Sequence, residues 1–529
     1  MENDKINPIS PVHKPLFELK KSDLAFAMCA VILGIFLSIF GVFGGFALGY
    51  LLTGIFTILL FAIYFKKCSR ISVFSTVCGS LSLGTNLIYV TTTNGSVRFF
   101  GVLISFLLAL VCFDNLTNGI SKGNRKTVGV FYSAASTLSN TAISLKSLFS
   151  NKNGDKKDIG KVIIGLVCAV PVLFVIVPLL ISSDDAFRGM MNNIFQNTFS
   201  TILKAVFGII LSIFIISYGF SLKNNRISKL PKPKFKGIEN VYLISFLSAI
   251  GFCYLLYLFS QLAYFFSAFK GFLPNGEITY AQYARKGFFE MCVIAVINLG
   301  LVFLSLLISK KKKGKACVGI KVLTTFISIF TLIIIATAIS KMVLYIDTYG
   351  MTVLRVTTSA FMLFLSIVFI SVILRIYIKK VNIIKTALIT AGCVILALGT
   401  VNVNLVCARY NYESYINGRL NTIDIDAIYE LGDEGIPYII KLTSHQDITI
   451  SRKAEEYLTQ AYLYDYFGNL DIIPDIKVND LKQNQNNKGF KYFSIPKKKA
   501  YDELYKFFEN NPDFIKFRRV CFENMDYSD

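Results

Sequence analysis

Two short runs carry the residue types that could do chemistry. Thr279 to Glu290 reads T-Y-A-Q-Y-A-R-K-G-F-F-E, and Tyr345 to Arg355 reads Y-I-D-T-Y-G-M-T-V-L-R, so each sets tyrosines beside paired charges. A carboxylate facing a guanidinium can lock two helices together or hold a polar ligand, and tyrosine adds a donor at the edge of an apolar surface. The candidates are Tyr280, Tyr283, Arg285, Glu290, Asp347, Tyr349 and Arg355, joined by Arg409 from a later run, N-x-x-C-A-R-Y-N. A lock would pair Glu290 with Arg355, or Asp347 with Arg285. The same tyrosines also suit an aromatic belt at a membrane surface. Ser183-Asp184-Asp185 is a second acidic spot. Paired acids can hold a metal or activate a nucleophile, but without further carboxylates nearby this one reads as a capped helix end. The chain has only His13 and His445 and its 11 cysteines form no C-x-x-C pair, so no catalytic residue, metal site or cofactor is assigned. Cys407 and Cys521 fall on the same side of the expected topology and could pair, though their spacing does not require it.

The elements that must position these residues are membrane spans. The chain is 54% hydrophobic and only 17% charged, against about 25% charged for soluble proteins. Apolar stretches long enough to cross a bilayer number about eleven, at roughly 24–43, 46–65, 71–91, 97–117, 161–182, 200–220, 241–268, 287–309, 316–339, 353–377 and 385–407. Residues 24–65 as one helix would run about 63 Å, twice the hydrocarbon thickness. Gly41, Gly44 and Gly45 are the expected break, which makes this stretch a helical hairpin and not a cleaved leader.

Lysine and arginine sort across these spans. The N-terminal tail and every second gap hold 30, and the intervening gaps hold six: Arg98, Arg188, Lys270, Arg285, Lys286 and Lys341. The positive-inside rule then places the N-terminus in the cytoplasm, and odd parity places everything after Cys407 outside. The formal net charge of +22 resolves into +26 for residues 1–407 and −4 for the rest. It is topological charge facing an anionic leaflet, not a nucleic-acid surface.

The expected architecture is therefore an all-α polytopic membrane protein with a small C-terminal extracytoplasmic helical domain. Its parts are a cytoplasmic tail (1–23), a four-span unit (24–118), a cytoplasmic loop (119–160), a seven-span unit (161–407) and the external domain (408–529). Within the loop, Val128 to Phe149 can form a weakly amphipathic helix on the inner surface or a plain linker. In the tail, Asp424 to Leu431 ends at a C-cap Gly432, Asp433 can cap a helix with Pro437 in its first turn, and helices follow at Ile450–Tyr466 and Lys497–Phe508. Lys204, Lys321 and Lys341 lie close enough to span ends to snorkel. Gln261, Asn298, Asn402 and Asn404 read as interhelical hydrogen-bonding groups.

The runs at 279–290, Tyr349 to Arg355 (Y-G-M-T-x-L-R), Asn404 to Asn411 and Asp426 to Tyr438 (D-A-I-Y-E-L-G-D-E-G-I-P-Y) resemble signature stretches of domain-of-unknown-function family 4173. Members of that family are polytopic membrane proteins of low-GC Gram-positive bacteria. The resemblance implies a cell-membrane location and supplies no reaction. The reading that follows is a non-enzymatic envelope component whose partners are the lipid bilayer and an extracytoplasmic protein or cell-wall ligand. The alternatives are a transporter or lipid flippase, which would need polar groups near the midplane, and a membrane-embedded glycosyl- or phosphotransferase. Against the last, the first external loop, Gly41 to Gly45, contains no acid.

Overall fold

The computed structural model describes residues 19–44, 47–66, 72–117, 129–149, 198–224, 238–269, 288–310, 317–378, 380–467 and 493–511, besides Ile176 and Ser183. Among these residues there is no strand, and ten helices are long and apolar enough to cross a membrane. The chain is an all-α polytopic membrane protein. Each of the ten corresponds to an expected span, and the remaining expectation, 161–182, lies outside the described residues except for Ile176.

The contacts divide the chain into two compact units, one drawn from 1–86, 106–230 and 490–492 and the other from 87–105, 231–489 and 493–529. In the first unit, α1 (Lys21–Phe36) passes through a π-helical turn (Leu37–Val42) before α2 (Leu48–Phe65). Then come α3 (Val73–Asn86), the second half of α5 (Gly95–Thr117), α6 (Gly129–Phe149) and α7 (Thr198–Lys223). α1 and α7 cross with their backbones touching: a Cβ on Gly208 would lie 2.5 Å from the Ile35 Cα, and one on Gly34 would collide with the Gly208 carbonyl. Lipid tails are as apolar as leucine, so helices in a bilayer gain by such close approach and not by hiding apolar surface.

The same rule explains how α6 packs. Of the two expectations for this stretch, a surface helix or a plain linker, it is a helix, and the face it buries is polar: Thr137, Asn140, Ser144 and Ser147. Asn140 Nδ2 donates to Ser221 Oγ at 3.1 Å, and Ser217 Oγ donates to the Thr137 carbonyl at 2.9 Å. Leu138, meanwhile, is 68% exposed.

The second unit holds α4 (Ile88–Thr91), the first half of α5, and the helices α8 (Asn240–Phe269), α9 (Phe288–Ile308), α10 (Val318–Tyr349), α11 (Val353–Tyr377) and α12 (Ile383–Val401). Phe288, Ala295, Phe330, Ala338, Met362 and Phe369 fill the seam of α9, α10 and α11. Large side chains on the outer faces, such as Val241, Phe252 and Val293, are exposed as lipid contact requires.

After α12 the apolar run does not continue as one helix to Cys407. It breaks at Asn402, which adopts a left-handed backbone (φ 57°), and restarts as α13 (Val403–Ile416). Asparagine tolerates this conformation, and its side chain caps the new helix by accepting from the Leu405 N–H at 3.3 Å.

The tail then forms α14 (Ile425–Tyr429), a 3-10 turn (Gly432–Glu434), α15 (Ile436–Leu442), α16 (Ile448–Phe467) and α17 (Ile495–Asn510). Gly432 takes the expected positive φ, 69°. Asp433, however, sits inside the 3-10 turn, and Gly435 occupies the N-cap of α15 instead. Ile428, Ile439, Leu442, Ala454, Leu458, Leu504 and Phe508 make the tail's own core.

Candidate functional site: a polar joint around the helix break

Two clusters within the second unit tie the tail helices to the ends of the membrane helices. The first is built on the turn between α4 and α5, Thr92-Thr93-Asn94. Glu434, only 2% exposed, projects from the 3-10 turn onto it. Glu434 Oε1 accepts from the Thr93 N–H at 2.8 Å and from the Thr92 hydroxyl at 3.4 Å, and the Thr93 hydroxyl donates to Oε2. A buried carboxylate held by three uncharged donors is satisfied without a counterion directly against it.

Around this contact the asparagines that interrupt the last span do parallel work. Asn402 Nδ2 donates to the Thr91 carbonyl at 2.8 Å. Asn404 accepts from Asn94 Nδ2 at 2.7 Å and donates to the Leu431 carbonyl at 2.9 Å. The Thr91 hydroxyl donates to the Gly399 carbonyl at 2.8 Å. Arg98 fixes the turn from behind, with Nε on the Thr92 carbonyl (2.8 Å) and Nη2 on the Tyr89 carbonyl (3.1 Å).

The second cluster joins the α10–α11 turn to α13. Gly350 lies at φ 80°, a conformation that favours glycine. The turn it makes brings Met351 against Asn411, whose Oδ1 accepts from the Met351 N–H at 2.7 Å and whose Nδ2 donates to the Met351 carbonyl at 2.8 Å. Arg355 lies over the Tyr345 ring (4.1 Å to the centroid) and donates Nη1 to the Tyr349 carbonyl at 3.2 Å and to the Gly350 carbonyl. Tyr410 donates its hydroxyl to Asp347 Oδ1 at 3.3 Å, and burial together with that carboxylate raises the phenol above its usual range. Cys407 is buried beside this cluster and is a free thiol; burial pushes it up to about 12, which keeps it protonated and inert.

Of the residues singled out in the sequence, Asp347, Tyr349 and Arg355 thus meet at one turn. Arg355 takes carbonyls and an aromatic face where a carboxylate partner was expected. Glu290 is exposed in the first turn of α9, and among the described residues no ion pair joins it to Arg355. Arg409 is exposed on α13 and pairs with Glu413 one turn on, at 2.7 Å. Tyr280, Tyr283 and Arg285 lie outside the described residues, as does Cys521. Sequence reasoning passed over Thr93, Asn411 and Glu434. The available signal was the polar run T-T-T-N (91–94) between two spans, and the last letter of N-x-x-C-A-R-Y-N.

Chemically this arrangement fastens. Its donors and acceptors are turned on one another, and among the described residues no group of three His, Cys, Asp or Glu side chains converges as a metal site would need. The fold and joint define a multi-pass helical membrane protein with a helical tail docked on its span ends. The model of the family described as Domain of unknown function (DUF4153) matches residues 51–442, and the chain belongs to that family. The match ends at the last residue of α15 and contains every residue of both clusters. The expectation of an unassigned polytopic family holds at that level; the family shown is DUF4153, and the likeness to family 4173 is not shown. No curated protein and no solved structure matches the chain.

Proposed function

We propose that this protein is a non-enzymatic component of the cell envelope, with its N-terminus in the cytoplasm, that presents its C-terminal helical domain outside the cell to a protein or cell-wall partner. The observation that carries this reading is the joint itself. Thr93, Asn94, Asn404, Asn411 and Glu434 are spent on holding the tail helices against the ends of the spans. A domain held this firmly at a membrane exit suits display, because a partner that binds it acts on a fixed platform and meets no flexible tether. The sidedness rests on the distribution of 30 basic residues against six.

Two linked measurements test it. Alkaline phosphatase fused after Asp529 should be active in cells, and an inactive fusion overturns the external placement. A photo-crosslinking residue introduced at exposed Glu456 or Asp502 should then yield a discrete adduct with an envelope protein or with wall polymer. Absence of any adduct from both positions, with the phosphatase active, overturns the presentation role.

A further inference from the structure

α17 carries a basic run, Lys497-Lys498-Lys499, inside a tail whose balance is acidic. Its buried face is Pro496, Ala500, Tyr501, Leu504 and Phe508. On the other side Lys498 and Lys499 are exposed, and among the described residues no carboxylate pairs with them. Directly beside them two large apolar side chains face outward: Phe493, 38% exposed, and Ile495, 54% exposed. Two exposed apolar side chains thus stand beside three consecutive lysines. This combination of an apolar wedge with a cationic rim is what an interfacial anchor requires. Its position agrees, since α17 packs against α4, the final turn of the span Val73–Thr91. The helix therefore lies where the chain leaves the bilayer.

We infer that residues 493–499 are a membrane-surface anchor, with Phe493 and Ile495 entering the headgroup boundary and Lys497, Lys498 and Lys499 binding anionic phospholipid of the same bilayer the chain spans. The joint around Glu434 and Asn411 fixes the domain at its base, and the anchor fixes it at a second, separate point. Lysine ammonium groups are drawn to an anionic bilayer surface, so three adjacent lysines make the contact selective for lipid charge.

The chain contains no tryptophan, so Phe493→Trp creates a sole reporter in the full-length protein. Reconstituted into bilayers of phosphatidylcholine with phosphatidylglycerol, its emission should be quenched roughly twofold when the acyl chains are brominated. In pure phosphatidylcholine the quenching should fall, and in Phe493→Trp combined with Lys498→Glu and Lys499→Glu it should be lost. Ile495→Trp supplies a second reporter should Phe493→Trp fold poorly, with helicity by circular dichroism as the check. No quenching in anionic bilayers from either reporter overturns the anchor. Equal quenching in neutral and anionic bilayers, unchanged by charge reversal, overturns the assignment to anionic lipid.

Discussion

Asn411 closes on both backbone groups of Met351, its Oδ1 accepting from the N–H at 2.7 Å and its Nδ2 donating to the carbonyl at 2.8 Å. A side-chain amide that mimics a paired strand in this way satisfies two groups that the α10–α11 turn cannot satisfy itself, and it joins two helices in doing so. Asn411→Ala should lower unfolding stability by about 1–3 kcal/mol, the usual loss when partly buried polar groups lose their partner. Asn411→Asp should be at least as damaging, because it sets a carboxylate oxygen against the Met351 carbonyl. Denaturant titration of the purified protein in detergent, followed by circular dichroism, checks both, and a wild-type midpoint in either variant contradicts the bidentate contact.

Gly350 makes that contact possible by geometry. At φ 80° an L-residue is strained, and an added Cβ would stand 2.6 Å from Asn411 Oδ1. Gly350→Ala should therefore cost about 1–2 kcal/mol from backbone strain and also disturb the Asn411 bonds. In a double-mutant cycle with Asn411→Ala the two losses should be less than additive, since they break one contact. Full additivity would show that the strain and the amide clasp are independent.

Glu434 offers a graded test of the other cluster. Glu434→Gln keeps the oxygen that accepts from the Thr93 N–H, and the Thr93 hydroxyl can turn to accept from the new amide, so the loss should stay below about 1 kcal/mol. Glu434→Ala strands the Thr93 N–H and two hydroxyls in a buried position and should cost about 2–3 kcal/mol. Protease cleavage of the tail in reconstituted protein should rise for Glu434→Ala and stay at the wild-type rate for Glu434→Gln. Equal cleavage of the two variants would show that the carboxylate does not hold the tail.

The spans were legible in the sequence because a helix must run about 20 apolar residues to cross a bilayer, and such runs are hard to mistake. Local chemistry at their ends was less so. Asn402 sits in an apolar run that reads as continuous, and what breaks the helix there is the Thr91 carbonyl, 311 residues away in sequence, accepting the Asn402 amide at 2.8 Å. Arg355 was expected to seek a carboxylate because charge pairs are the familiar partner. The carbonyls of Tyr349 and Gly350 are nearer once Gly350 bends the chain back, and no reading of residue types could place them. On α6 the polar character of the buried face followed from the solvent: Ser217 and Ser221 on α7 make serine, threonine and asparagine the adhesive side. The tail helices were legible to within a few residues, since Gly432 and Pro437 punctuate them, yet the buried role of Glu434 needed the turn at Thr93 to be in place.

The surface of the tail carries a pH dependence with two edges. Asp426 pairs with Lys453 Nζ at 2.7 Å and accepts from the Tyr457 hydroxyl. The hydrogen bond from Lys453, then that from Tyr457, holds the Asp426 carboxyl below its ordinary 3.8. A depressed carboxyl contributes stability that is present above 3.8 and is lost as pH falls through the lower folded value. The hydrogen bond to Asp426 raises the Tyr457 phenol from 10.0 to about 12, so its contribution is full below 10.0 and is lost as pH rises towards 12. Both groups are open to solvent, which keeps the effects small. Asp426→Asn should flatten both edges of the stability profile measured between these limits, whereas Lys453→Ala should weaken the acid edge and leave the alkaline one.

Inside the membrane helices of the second unit, Tyr254, Asn298 and Thr331 form a chain across α8, α9 and α10. The Tyr254 hydroxyl donates to Asn298 Oδ1 at 2.5 Å, Asn298 Nδ2 donates to Thr331 Oγ1 at 2.9 Å, and Thr331 returns its proton to the Ile327 carbonyl at 2.7 Å. Asn298 is fully buried, and the Tyr254 ring stacks on Phe330 at 4.1 Å. A substrate path would need polar groups with capacity to spare; here each side chain already has its partner within the helix bundle. Interhelical bonds of this kind contribute about 0.6 kcal/mol on average and up to about 1.7. Tyr254→Phe should fall near the lower figure and Asn298→Leu near the upper, because the latter removes both bonds and leaves the tyrosine hydroxyl unmatched. Unfolding in mixed detergent micelles with increasing dodecyl sulfate measures both. A loss confined to stability, with helicity intact before the transition, marks the trio as interhelical glue. A stable Asn298→Leu protein that had gained or lost solute flux in proteoliposomes would instead place a pathway there.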